Sequence, residues 1–350
     1  MNKLNDLFTT VNKQLSLYHF SLPFTQAINF KGHQLTSREG LWLIEHDPSG
    51  QDFIGEICPL PGFSQETLAQ CQQQLLARLN NSSKHLKSRV DHRPLLPSIS
   101  FAVFCLQQQV PWQDPSDNKL SAPDNLIKVP LLQGNPSEII SRYQLLKYPQ
   151  KVKIKVARAT ILEEVNVLKS LIKLNPDIHF RLDANQQWTA LQYASFLTLI
   201  DNKYIDYIEE PTASLNDNIT ISKQFKVSIA LDESLLSNSL LNDNLLPIHP
   251  CIKALIIKPT LIGYPERIDM LLKHAQRQQL NVSISASFES PLALNQLHYL
   301  AKQWQQQSHL KISLGLDTLH AFQTHITKAS FDSENFKDIL LNQATCIWKS

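Results

Sequence analysis

Lys151-Val152-Lys153-Ile154-Lys155 opens a stretch whose pattern then recurs as His179-Phe180-Arg181-Leu182-Asp183, Tyr207-Ile208-Glu209-Glu210-Pro211, Val227-Ser228-Ile229-Ala230-Leu231-Asp232 and Leu255-Ile256-Ile257-Lys258-Pro259. Each is a short apolar run that closes on a charge. The steps are 28 residues (155 to 183), 26 (183 to 209), 23 (209 to 232) and 26 (232 to 258). A strand, a helix and two short loops need about that length, so the spacing predicts a βα repeat. Strands of a closed parallel sheet end at one face, where their loops gather. The stretch therefore predicts an α/β protein, a (β/α) barrel of seven to eight strands, with two lysines and three carboxylates around its mouth.

Strand side chains alternate, so Lys151, Lys153 and Lys155 share a face, as do Arg181 and Asp183. Val152, Ile154, Val156, Phe180 and Leu182 take the other face and pack against helices. Charges turned into a barrel are costly unless something compensates them. Asp183, Glu209 and Asp232 make a set of hard oxygen donors suited to Mg²⁺. A lysine beside a cation and a second lysine has a lowered pKa and can act as a base near neutrality. Metal plus lysine is equipment for abstracting a proton α to a carboxylate. Either Lys155 or Lys258 could be the base by position alone. Lys155 is favoured, because Lys153 lies on its own strand and face. Any one of these residues read singly is an ordinary surface charge; the joint spacing is what points to chemistry.

Outward from this stretch, strand-like runs at Leu17–Phe20, Gly40–Ile44 and Phe53–Ile57 precede a helix expected to be capped by Ser64, an α+β segment without alternation. The expected division is a capping domain over 1–98, a barrel over 99–320 and a segment over 321–350 that folds back on the cap. The chain has 350 residues, 43% hydrophobic content and a formal net charge of +2. No basic excess suggests a nucleic-acid partner. Eight glycines form no phosphate-binding fingerprint, which argues against a nucleotide enzyme. Five cysteines without metal-ligand spacing are expected as free thiols of a reducing compartment, and no run reaches membrane-spanning length. A cytoplasmic protein acting on a small molecule is expected. No oligomeric state can be read from the sequence, and a monomer is compatible with it.

The order Lys-x-Lys, Asp183-Ala184-Asn185, Glu209-Glu210-Pro211, Asp232-Glu233-Ser234 and Lys258-Pro259-Thr260 resembles the muconate-lactonising branch of the enolase superfamily. With Gly55 to Thr67 and Gly315-Leu316-Asp317-Thr318-Leu319, the resemblance is closer to the o-succinylbenzoate synthase family in its proteobacterial form, over roughly residues 15 to 320. The resemblance implies a dehydration in menaquinone biosynthesis. Asp183, Glu209 and Asp232 would hold Mg²⁺, with Mn²⁺ as a substitute ion. Lys155 would be the base, Lys258 the opposite cation stabilising an enediolate, and Lys153 a tuning residue. Arg181, Asn185, Ser285 and Gly315 would lie near substrate or metal. Arg181 is equally readable as a buried partner for a carboxylate. The loops around Lys31-Gly32-His33 and Pro59–Phe63 would close the mouth and select substrate. An N-acylamino-acid racemase, dipeptide epimerase or muconate cycloisomerase would use the same lysines, and a small-acid-binding barrel without turnover is the reading from another class. Departures from the family pattern are a long Asn242–Pro250 segment, Ala286 where serine is common, and the tail after His320.

Overall fold

The computed structural model describes residues 14–30, 32–48, 50, 52–83, 93–112, 126–236, 247–323 and 343–350. Lys31, residues 84–92 and 113–125, positions 242–246 of the long Asn242–Pro250 segment and 324–342 of the tail lie outside the described residues.

Two sheets organise the chain. In the first, β1 (Gln14–Phe30), β2 (His33–His46) and β3 (Asp52–Ile57) form an antiparallel meander, and β13 (Ala344–Lys349) pairs with the free edge of β1. The strands run longer than the apolar runs alone suggest, because β1 continues beyond Phe20 and pairs there with the mostly exposed start of β2 before Gly40. One face of the sheet, with Leu17, Leu41, Leu43 and Ile57, packs on Cys71, Leu75 and Leu79 of α1 (Leu68–Ser83). Helix α1 begins three residues later than expected, with its cap at Thr67 rather than Ser64. Thr67 Oγ1 accepts from Gln70 N and Gln70 Oε1 accepts from Thr67 N, a reciprocal cap. Ser64 is instead spent inside the preceding loop, where its Oγ accepts from Leu60 N.

Helix α2 (Pro97–Gln107) is apolar all round, as a helix buried on every side must be. Ile99, Ala102, Val103 and Leu106 join the core of the first sheet, whereas Phe101 and Cys105 join the barrel core. Glycine permits this close seat on both sides. A side chain at Gly55 would collide with the Ala102 carbonyl, and one at Gly263, whose φ is +79°, with the Pro97 backbone.

The second sheet is parallel throughout. Its strands are β4 (Ile127–Lys128), β5 (Leu131–Leu132), β6 (Lys151–Lys155), β7 (His179–Asp183), β8 (Ile205–Glu209), β9 (Ile229–Leu231), β10 (Ile252–Ile257), β11 (Asn281–Ser285) and β12 (Ile312–Gly315). Their order is β4-β12-β11-β10-β9-β8-β7-β6-β5. β4 and β5 are two pieces of one segment, parted at Val129-Pro130, where proline has no N–H for a ladder. Val129 N still donates to Leu314 O (3.3 Å) on one side, and Pro130 O accepts from Lys153 N (2.9 Å) on the other. That segment joins the two ends of the sheet, so the nine strands act as eight staves of a (β/α) barrel.

Helices α3 (Pro136–Leu145), α4 (Ile161–Leu174), α5 (Ala190–Leu197) and α6 (Leu215–Phe225) cover one half of the barrel. α7 (Pro259–Ile262), α8 (Pro265–Gln278) and α9 (Pro291–Ser308) lie along the other. Val152, Ile154, Phe180, Leu182 and Ile208 pack outward on Val165, Leu168, Leu171, Tyr193 and Phe196. Each such side chain removed from water contributes roughly 1.5–3 kcal/mol. Capping boxes at Asn135/Glu138, Thr160/Glu163 and Thr189/Gln192 start three helices at set points beyond the strands. That keeps the loops at the mouth short. Between β9 and β10 the described residues hold only a 3₁₀ turn, Glu233–Leu236, where a full repeat would place a helix. All five cysteines are free, three of them buried.

Candidate active site

Register brings the strand ends together. Lys155 is the Cα partner of Asp183, Asp183 of Glu209, and Glu209 of Ala230, two residues before Asp232. Lys258 follows β10 directly. In a ring of eight staves β10 stands four from β6, so Lys155 and Lys258 face each other across the mouth. The turns above these strands hold non-glycine residues in the left-handed region: Asn185 (φ 45°), Glu210 (φ 37°) and Phe288 (φ 59°). Such strain persists only where the surroundings enforce it, and it concentrates at working sites.

The carboxylates and lysines form one buried network. Lys153 Nζ lies 2.8 Å from Asp183 Oδ2 and 2.5 Å from Glu209 Oε2. Lys155 Nζ lies 2.6 Å from Asp183 Oδ2 and donates to Asn185 Oδ1 at 2.8 Å. Lys258 Nζ lies 2.6 Å from Asp232 Oδ2, with the Phe63 ring centroid 5.4 Å away on the other side. Asp183, Glu209 and Asp232 are 1%, 1% and 2% exposed, so these charges are settled by one another rather than by water.

Burial pulls Lys155 below the ordinary lysine range, and the charges of Lys153 and Lys258 add to that against Asp183. Burial would lower Lys258 and Lys153 also. Asp232 and Glu233 outweigh it for Lys258, which is raised, and Asp183, Glu209 and Asp232 hold Lys153 well above its usual value. Asp183 is buried, yet Lys153 and Lys155 keep it well below the usual carboxylate range. Burial pushes Glu209 up to about 7, with Asp183 and Asp232 adding to the push and Lys153 opposing it.

The donor set fits a hard divalent cation: three buried carboxylates on neighbouring strands, all oxygen, with one carboxyl lifted toward neutrality by burial and, after it, by the crowding of negative charge. As the side chains stand, each acid is turned to a lysine. Among the described residues no three His, Cys, Asp or Glu are gathered tightly enough to hold an ion. Coordination would draw Asp183 and Glu209 off Lys153, and Asp232 off Lys258.

The remaining sequence candidates divide. Asn185 sits in the network and also donates from Nδ2 to Glu233 Oε1 at 3.1 Å. Arg181 does not join it. Its Nε lies 3.1 Å from Asp206 Oδ2, its Nη1 donates to Ser313 Oγ at 2.8 Å, and it stacks 5.0 Å from the Tyr207 centroid. Of the two readings open to Arg181, the structure has it as a buried partner for a carboxylate. Arg181 is the Cα partner of Lys153, one inward-facing layer below Asp183, and a bulge there brings Asp206 to it. Ser285 and Gly315 end β11 and β12 as Cα partners, with Ser285 Oγ 3.4 Å from Gly315 O.

Two acids went unassigned in the sequence although they stand beside named ones. Glu233 bridges to Asn185, and burial together with Asp232 pushes it up to about 7. Glu210 accepts from Asp232 N (3.0 Å), Ser234 N (2.9 Å) and Ser234 Oγ (3.0 Å), and so shapes the turn that carries Asp232. The doubled acids Glu209-Glu210 and Asp232-Glu233 were the available signal. Ser290 stands at the N-cap of α9 but gives its hydroxyl to Glu56 of β3 rather than to the helix.

Comparison with known proteins agrees with this architecture. The family described as "MenC, N-terminal domain" matches residues 12–110, and "Enolase C-terminal domain-like" matches residues 141–315. The o-succinylbenzoate synthase of Vibrio cholerae is 30% identical over 343 residues, 97% of this chain and 98% of that protein. That of Haemophilus influenzae is 31% identical over 91% of this chain and 93% of that protein. Among solved structures, the o-succinylbenzoate synthase of Thermosynechococcus elongatus, complexed with magnesium in its active site, superposes with a TM-score of 0.66 over 89% of this chain and 94% of that chain, at 22% identity. The L-Ala-D/L-Glu epimerase of Bacillus subtilis gives 0.66 over 89% and 90% of the two chains at 15% identity, a likeness of fold alone. With an antiparallel cap, a parallel barrel and relatives of this identity over nearly its whole length, the chain belongs to the o-succinylbenzoate synthase family of the enolase superfamily.

Proposed function

We propose that this protein is an o-succinylbenzoate synthase, a hydro-lyase that converts 2-succinyl-6-hydroxy-2,4-cyclohexadiene-1-carboxylate to 2-succinylbenzoate in menaquinone biosynthesis. The observation that carries the reading is the opposed pair Lys155 and Lys258, both partly buried, shifted in opposite directions and separated by the acid cluster.

Lys155, lowered and neutral more readily, takes the α-proton of the bound carboxylate. Asn185, hydrogen-bonded to Lys155 Nζ, holds that amine toward the mouth. Lys258 stays charged on the opposite side, where its ammonium balances the negative charge that develops as the proton leaves. The proton on Lys155 then accompanies the departing hydroxyl as water, and the ring becomes aromatic. Asp183, Glu209 and Asp232 would hold Mg²⁺, or Mn²⁺ in its place, which supplies Lewis-acid neutralisation of the substrate carboxylate. Lys153, between Asp183 and Glu209, aligns both acids, helps hold Asp183 ionised and opposes the burial that raises Glu209. Phe63 and the loop before it form the wall over Lys258.

The same reading divides the chain into a cap (1–98), a catalytic barrel (99–320) and a tail (321–350). Pairing of β13 with β1 supports the tail's return to the cap, and α2 lies at the join. Free thiols suit a reducing, cytoplasmic setting.

The test is an assay of purified protein with Mg²⁺ and the cyclohexadiene carboxylate, followed by metal titration of Asp232→Asn. Dehydration that stops in chelator, and a weakened titration in a folded Asp232→Asn, are expected. Full activity in excess chelator would overturn the metal assignment, and absence of dehydration would overturn the substrate.

A further inference from the structure

Over Lys258 a loop of the cap meets a turn of the barrel, and one side chain ties the two. Arg38, on β2, is 2% exposed. Its Nε donates to Phe288 O at 3.2 Å, its Nη1 to Pro59 O at 2.8 Å and its Nη2 to Cys58 O. Burying a guanidinium is costly unless its donors are met. Here each of the three nitrogens donates to a carbonyl, and the carbonyls belong to two segments far apart in sequence. The guanidinium is planar and rigid, so satisfying all three fixes how those segments lie relative to one another.

Both segments lead to the reacting side of the barrel. The first runs from Cys58 to Phe63, the residue whose ring faces Lys258 Nζ. The second leaves Ser285 at the end of β11 and turns through Phe288. Phe288 is left-handed (φ 59°), a strained conformation for a residue with a side chain, which must be held from outside. Arg38 Nε on the Phe288 carbonyl is one such hold. Glu289, which accepts from Ser287 N at 2.5 Å and from Thr260 Oγ1, is another, and Thr260 stands two residues past Lys258. Arg38 thus sets the separation between the aromatic wall and the turn that begins at Ser285.

We propose that Arg38 is a positioning residue that locks cap loop 58–63 to barrel turn 286–290, and so sets how deeply a substrate sits against Lys258. Its effect on turnover rests on the reaction proposed above; the locking of the two segments does not. Lysine at this position keeps the charge but offers one ammonium where three carbonyls lie in the directions of a fork, so it should not substitute.

The experiment is Arg38→Lys, read by hydrogen–deuterium exchange, Mn²⁺ titration and steady-state kinetics. Exchange should rise in 58–63 and 286–290 together while the Mn²⁺ dissociation constant stays at its wild-type value. kcat/KM should fall about a hundredfold, carried mainly by kcat, the size of effect a misplacement of roughly 1 Å produces. Methylguanidinium should restore part of the loss in Arg38→Ala. Exchange rising in only one segment, wild-type kcat/KM, or a loss of Mn²⁺ affinity that matches the loss of turnover would each overturn the proposal. If Arg38→Lys does not fold, Arg38→Gln, which keeps polarity at lower charge cost, is read the same way. Wild-type protein inert toward the cyclohexadiene carboxylate would remove the proposed reaction, and the exchange result would then decide the locking by itself.

Discussion

Lys155 and Lys258 make the same ion-pair distance, 2.6 Å, to a strand-end aspartate, yet their surroundings push them apart. Asp183 is shared between Lys153 and Lys155, so Lys155 receives only part of its charge and feels two neighbouring cations. Asp232 makes its close ion pair with Lys258, and Glu233 adds to it. We therefore expect Lys155→Ala to lose at least about three orders of magnitude in turnover, the upper range for a general base. Lys155→Arg should fail equally, because a guanidinium does not give up its proton near neutrality. The active form of Lys155 is the neutral amine. kcat/KM should thus rise with pH through a lysine pKa lowered from its usual value, and fall below it as the amine is protonated. Near-normal dehydration in Lys155→Ala, with loss in Lys258→Ala, would reverse the two roles.

At the level of elements, the division of labour is between strands that place charges and loops that shape the space above them. Strand ends need no particular loop to put Lys155, Asp183 and Glu209 side by side, since parallel register alone does so. The cap loop supplies what register cannot, an aromatic wall near Lys258. Replacing Pro59–Phe63 by Gly and Ser residues should lower kcat/KM for the cyclohexadiene carboxylate and leave Mn²⁺ affinity unchanged. Wild-type kinetics after the swap would mean that the barrel alone selects substrate.

For the molecule as a whole, one buried acid fastens the end of the barrel away from the mouth. Asp206 on β8 takes Arg181 of β7 (3.1 Å), Lys253 of β10 (3.0 Å) and Lys151 of β6 (3.3 Å). Burial would raise its pKa, but Lys253, Arg181 and Lys151 hold it at about 2. A carboxyl depressed below its unfolded value of about 4 contributes stability that is whole above that pH and lost as the pH falls toward 2. Asp206→Asn should cost about 3 kcal/mol at neutral pH, the low end for breaking a buried pair, because Lys151 and Lys253 keep contact with water. Denaturant unfolding at pH 7 and again near pH 3 checks this. The gap between wild type and variant should narrow at the lower pH, and an equal gap at both would refute the linkage.

How much was legible follows from the range of the interactions concerned. Alternation along a strand and a repeat of 23 to 28 residues are properties of the local backbone, and by themselves they determined the barrel, its mouth, and the shared inward face of Lys153 and Lys155. The motif order carried the family. The tertiary structure decided the partners. It set Lys153 between two acids, sent Arg181 down to Asp206, and joined Asn185 to Glu233. It closed the barrel through a segment split at Pro130, laid β13 along β1, and buried Arg38 against two distant loops. None of these could be read locally. Each is a choice among equally charged or equally apolar candidates, made by which side chains the folded backbone brings within about 3 Å of one another, the range over which a hydrogen bond or a desolvated ion pair acts.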